Sequence, residues 1–143
     1  MELAPSVVRQ IVLEEHGQIR RKLGKIEDLI QRKDYSTLQN AFSELAHFFL
    51  KHIQTEEHIL RPVLKDLDAW GDVRVDRMNK EHAEQRVVVG KLDEMVRTKQ
   101  PAEFVPEIQK FVVELYKDMS SEEAECLNPD VLKDDPISSG TCG

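Results

Sequence analysis

Apolar residues recur at intervals of three and four along most of the chain, in four runs separated by short breaks. The first run, from about Ser6 to Gln31, carries Val8, Val12, Ile19, Leu23, Ile26 and Ile30 on one stripe. The second, from about Ser36 to Asp68, carries Leu38, Phe42, Leu45, Phe49, Ile59 and Val63. The third, from about Val73 to Lys99, carries Val75, Met78, Val89, Leu92 and Val96, and the fourth, from about Ala102 to Cys126, carries Phe104, Ile108, Phe111 and Leu115. This spacing is one face of a helix, and no useful stretch alternates with period two, so the pattern predicts helices and no strands. Ser6 is a candidate N-cap, and the breaks RKDY, DAWGD and TKQP are rich in turn formers. Connections this short make consecutive helices antiparallel neighbours. The expected fold class is therefore all-α: an up-down-up-down antiparallel four-helix bundle over residues 1–130. After Pro129 the sequence DVLKDDPISSGTCG loses periodicity, and 131–143 is expected to be a flexible C-terminal tail.

Polar residues interrupt three of the stripes. His16 follows Val12, His82 follows Met78, and both His52 and Glu56 fall between Phe49 and Ile59. One histidine on an apolar face is usually a hydrogen-bonded core residue, but three helices carrying one is a different matter. His52 and Glu56 are four apart, about 40° from each other around a helix, and so offer two ligating groups on one face. An internal repeat extends the set. EHGQIRRKLGKIEDLI (15–30) and EHAEQRVVVGKLDEMV (81–96) share the Glu-His pair and a Gly-Lys eight residues later, at an offset of 82 − 16 = 66. The repeat predicts a bundle of two related helical hairpins. At the same offset KHIQTEE aligns with KDMSSEE, so that Asp118 stands for His52 and Glu122 for Glu56. Pro62 and Pro129 differ by 67, and a register slipped by one places Met119 and Glu123 there instead.

The candidate site residues are thus His16, His52, Glu56, His82, Asp118 and Glu122, with Glu123 as the alternative carboxylate. Three buried carboxylates would repel one another severely without a cation, whereas metal neutralises them and uses imidazole as a neutral ligand. Carboxylates able to bridge, with imidazoles and no thiol pair, suit iron or manganese better than a tetrahedral structural zinc. Other polar residues have plainer readings. His47 and His58 lie well around the helix from His52 and are expected at the surface, Cys126 as a small core residue, and Glu15 and Glu57 in solvated or supporting roles. Arg86 is expected to pair with a local acid, its alternative being a counter-charge to a metal-bound anion. Tyr116 reaches the site only in the slipped register.

Composition narrows the setting. A chain of 143 residues that is 40% hydrophobic and 33% charged suits one helix-rich domain. The net charge of −7 and pI near 5.3 argue against binding nucleic acid. The N-terminal segment MELAPSVVRQ lacks the features of a leader, and no run approaches the ~20 apolar residues of a membrane span. With two cysteines and no disulfide framework, the expected location is cytoplasmic.

The order His16, HIQTE (52–56), His82, DMSSE (118–122) resembles the hemerythrin-like, HHE cation-binding family over about residues 10–130, with a divergent fourth-helix motif. That resemblance implies a carboxylate-bridged pair of non-haem irons, oxo- or hydroxo-bridged, that binds dioxygen or, in some bacterial members, handles peroxide, nitric oxide or iron itself. The chain departs from the family twice. Asp118 or Met119 stands where the fourth helix should carry histidine, and Arg86 stands where oxygen carriers place a second histidine in the third helix. Both departures favour small-oxidant chemistry over reversible dioxygen carriage, and an iron-binding sensor or storage module without turnover is the alternative. Whether the chain is an enzyme stays open at this point.

Overall fold

In the computed structural model, which describes residues 3–134, every regular element is helical and there is no strand among the described residues. The order is α1 (Pro5–Gln31), α2 (Tyr35–Thr55), a π-helical turn (Glu56–Leu60), α3 (Arg61–Lys65), α4 (Gly71–Thr98) and α5 (Pro101–Glu125). Four of these are long. The chain runs without a break from α2 through the π turn into α3, so one long rod corresponds to the second apolar run. Around the bundle, α1 packs on α2 and α5, and α4 packs on α2, α3 and α5.

Local chemistry sets the ends. Pro5 starts α1, where a missing N–H costs nothing, and Ala4 rather than Ser6 is the N-cap. Ser6 instead donates from its backbone N–H and its hydroxyl to the Asp134 carboxylate, at 2.7 and 2.6 Å. Lys33, at φ 59°, turns the chain out of α1, and Asp34 caps α2 by accepting from the Thr37 N–H at 3.3 Å. Between α3 and α4, Gly71 is required because a Cβ there would collide with the backbone carbonyls of Leu64 and Lys65.

Two apolar clusters make the core. One is built on Ile19, Leu23, Ile26, Phe42, Leu45, Phe49, Leu92, Phe104, Ile108, Leu115 and Met119. Phe111 meets both Phe42 and Phe49 edge to face, with ring centroids 6.2 and 6.0 Å apart. The second is built on Val8, Val12, Leu60, Val63, Leu64, Met78, Leu127 and Leu132. Leu132 is 2% exposed and Asp134 is bonded to Ser6, so this part of the expected tail is held to the bundle, while 135–143 lie outside the described residues.

The expected stripes hold with local differences. Leu29 takes the buried place expected of Ile30, and Leu60 that expected of Ile59. The second shift has a clear cause. A π turn adds one residue to the turn, so every position after Glu56 rotates back by about 100° and the stripe resumes at Leu60 and Leu64. Along each long rod the residues between the two clusters are polar: His16 between Val12 and Ile19, Glu56 between Ile53 and Leu60, His82 between Met78 and Val89, Glu122 between Met119 and Leu127. One polar layer is sealed between two hydrocarbon layers.

Candidate metal centre

The polar layer is buried. His16, His52, Glu56 and His82 are the buried polar residues of the described chain, at 1, 3, 3 and 2% exposure. Burial of this kind is tolerated only when each group is satisfied, so the partners of each ring and carboxylate show what the layer is built to do.

Each histidine has a carboxylate on its outer nitrogen. His16 Nδ1 faces Glu123 at 2.7 Å, His52 Nδ1 faces Glu15 at 2.7 Å, and His82 Nδ1 faces Glu57 at 3.1 Å. A proton on the Nδ1 of His16 and of His52 satisfies their pairs, fixes each ring and turns an Nε2 lone pair inward, the arrangement that prepares imidazole to bind a cation. The outer carboxylates are themselves held. Arg20 donates twice to Glu123, at 2.7 and 2.9 Å, Arg86 donates to Glu57 at 2.6 Å, and the Thr55 hydroxyl donates to Glu15 at 3.3 Å. Phe49 stacks on His52, and the rings of His16 and His52 lie 5.0 Å apart.

The inward atoms converge. His16 Nε2 lies 2.9 Å from Glu122 Oε1 and 3.9 Å from Glu56 Oε2, and His52 Nε2 lies 3.4 Å from the same Oε2. One ligand atom from each of His16, His52, Glu56 and Glu122 fits within a span of 4.8 Å. His82 Nε2 meets Glu56 on its other oxygen, Oε1, at 2.9 Å. Glu56 Oε2 is the single buried side-chain polar atom without a hydrogen-bond partner among the described residues. A carboxylate oxygen buried in hydrocarbon, with no donor of its own and two imidazole nitrogens beside it, fits a cation between them.

The electrostatics show the same pressure. Burial pushes the Glu122 carboxyl up, and the charge of Glu56 adds to that, to about 8. Burial would do the same to Glu56, but the Glu122 carboxyl and the three imidazoles hold it well below the usual carboxylate range. Burial lowers His16, yet the carboxylates of Glu122, Glu56 and Glu123 outweigh it and raise the group to about 10. His52 likewise is lowered by burial and raised by Glu15 and Glu56, to about 9. Two carboxylates at this range cannot both stay charged without a positive partner, and here protons or a metal must serve.

The fourth helix follows neither expected register cleanly. Met119, not Asp118, continues the buried stripe from Leu115, which turns Asp118 about 100° aside to accept from Gln85 Nε2 at 3.2 Å. Asp118 is not in the group of four, and Met119 brings its thioether to the apolar cluster. Glu122 and Glu123, three and four residues on, then take the two sides of His16. Tyr116 points away and donates to Glu27 at 2.9 Å. Arg86 is engaged with Glu57 and does not face the layer. His47 and His58 are exposed, and burial pushes the Cys126 thiol up to about 11. Sequence reasoning missed Arg20 altogether. Its signal was its place four residues after His16, on the same face, in reach of the acid beside Glu122.

Beside His82 and Glu122, between α4 and α5, lies a cavity of 60 Å³ also bordered by Met78, Glu81, Arg77 and Asp118. It is far below the roughly 300 Å³ at which pockets for organic ligands begin.

The family model described as the hemerythrin HHE cation-binding domain matches residues 7–128, and the chain belongs to that family. No curated protein and no solved structure gives a significant match.

Proposed function

We propose that this hemerythrin-family chain binds non-haem iron in its polar layer and uses it to take up a small oxidant: dioxygen, peroxide or nitric oxide. The carrying observation is the unpartnered Glu56 Oε2 among the inward Nε2 atoms of His16 and His52 and the Glu122 carboxylate. Mixed imidazole and carboxylate donors suit iron, then manganese, ahead of a thiolate-preferring or purely oxygen-bound ion. When bound, iron supplies one-electron redox chemistry and Lewis acidity. The rest is the work of side chains. Glu15 and Glu123 orient the two imidazoles, Arg20 holds Glu123 in place, and the apolar layers above and below exclude bulk water.

The 60 Å³ cavity beside His82 and Glu122 has room for a ligand of a few atoms. Up-down-up-down topology fits the same picture. It is supported by the order of the two apolar clusters, which reverses from each long rod to the next. A bridged pair of irons would share Glu56 and Glu122 between one ion at His16 and His52 and a second at His82.

A second reading is an iron sensor or store without turnover, and the near-complete burial of the donors favours it. Anaerobic loading with ferrous iron followed by rapid mixing with peroxide or nitric oxide separates the two. Oxidant handling predicts repeated turnover of peroxide or a stable nitrosyl spectrum, and sensing predicts tight iron binding with neither. A chain that takes up no iron would overturn both.

A further inference from the structure

Resting on the iron reading, we infer that the centre holds one ion, at His16, His52, Glu56 and Glu122, and that His82 is a positioning residue standing where a second ion would require a ligand. The first argument is the division of labour between the two oxygens of Glu56. Oε2 faces His16 and His52 and has no hydrogen-bond partner, while Oε1 is engaged by His82 Nε2 at 2.9 Å. One oxygen is left for a metal and the other is tied down. A bridging Glu56 would have to surrender the bond to His82.

That bond is the inner end of a chain of contacts. Arg86 donates to Glu57 Oε1 at 2.6 Å, Glu57 Oε2 faces His82 Nδ1 at 3.1 Å, and His82 Nε2 faces Glu56 Oε1. Every member is fixed by the next, from a half-exposed guanidinium to the buried carboxylate. Such a relay sets the rotamer of Glu56 and aims Oε2 at the other two imidazoles, which is how supporting residues tune a metal ligand.

The second argument is the shortage of donors. An ion on the α4–α5 side would take at least four ligands. Once Glu56 and Glu122 are shared, the neighbouring side chains there are His82, a buried thioether at Met119, Arg86, itself a cation, and the carboxylates of Glu81 and Asp118, which accept from the Gln85 amide at 3.4 and 3.2 Å and join no converging group of ligand atoms among the described residues. Asp118 falls outside the group of four converging ligand residues.

The test is iron stoichiometry on the full chain, read with electron paramagnetic resonance after oxidation. The expected result is one iron per chain and the signal of an isolated high-spin ferric ion. Substituting His82→Ala should weaken binding by roughly ten- to a hundredfold, as loss of a supporting residue does, and still leave one iron per chain. Adding donors with Met119→His and Arg86→His should raise the count to two. Two irons per wild-type chain with a spin-coupled, silent spectrum, or a fall from two to one in His82→Ala, would overturn the inference while leaving the iron reading intact. No iron at all would instead remove the reading beneath it. The wild-type count decides even if the added-donor variant fails to fold.

Discussion

The two sides of the polar layer are built from similar sequence and differ in what they offer. On the α1–α2 side, His16 and His52 bring two inward nitrogens within reach of Glu56 Oε2, and both rings are braced from behind by acids. On the α4–α5 side, EHAEQR repeats EHGQIR, yet His82 is the one imidazole, its inward nitrogen is spent on Glu56 Oε1, and the neighbouring positions carry Met119 and Arg86. The repeat has preserved packing on both sides and donors on one. A helical hairpin needs apolar volume at its inward positions, which Met119 supplies as well as a histidine would, so the demands of the fold do not protect the ligands.

Histidine deletions break this comparison most forcefully. A site of four ligands is worth about 10–16 kcal/mol in structural metal centres, so removing one corresponds to roughly a hundredfold loss or more. His52→Ala should reach that loss and abolish the thermal stabilisation by iron, which at a hundredfold excess over Kd is about 2.7 kcal/mol for the native chain. His82→Ala, at a tenfold loss of affinity, should retain about half of that stabilisation. Calorimetric melting with and without iron measures both, and equal losses would erase the distinction between the sides.

Proton competition comes next. With no metal bound, His16 and His52 titrate near 10 and 9, above the ordinary 6.5, so both are charged at neutral pH and must release protons to bind a cation. Iron affinity should therefore rise with pH up to about 10, by about tenfold per unit for each proton displaced, then level off. The stability of the metal-free chain should run the other way. These raised values contribute stability below 6.5 that is lost as pH climbs through 9 and 10. Proton release during iron titration in weak buffer, together with melting of the chelated protein against pH, checks both signs.

The bracing acids give a smaller contrast. Glu15→Gln replaces the charged acceptor behind a ligand by a neutral amide oxygen and should weaken iron binding by about ten- to a hundredfold. Glu57→Gln acts one step further out, through His82, and should cost less than tenfold. Competition with a coloured chelator resolves the difference. The smallest effect is expected at Met119→Leu, a swap of similar volume in an apolar cluster, which should change stability by less than about 1.5 kcal/mol and leave iron affinity unaltered. A marked loss of affinity there would reveal the thioether as a ligand.

How far the site could be read from sequence depended on helix periodicity staying regular. Three imidazoles and Glu56 interrupt apolar stripes at a common level, and simple counting by three and four brings them to one layer. Counting fails where the helix itself changes. The π turn at Glu56–Leu60 shifts the stripe from Ile59 to Leu60, and no local residue type announces it. In α5 the inward path takes Met119 from one candidate register and Glu122 from the other, because residues three apart share a helix face as readily as residues four apart. The bracing pairs were the least visible. Arg20 with Glu123 spans 103 residues, and such a contact follows only from the packed bundle.

Anomalous diffraction from iron-loaded crystals, recorded on either side of the iron edge, locates the ion itself. A site built on the α1–α2 side predicts a peak within bonding distance of His16 Nε2, His52 Nε2, Glu56 Oε2 and a Glu122 oxygen, with the Nδ1 carboxylates of Glu123 and Glu15 still in place behind the rings. Iron bound elsewhere, or a layer in which these side chains stay bonded to one another and no peak appears, would contradict it.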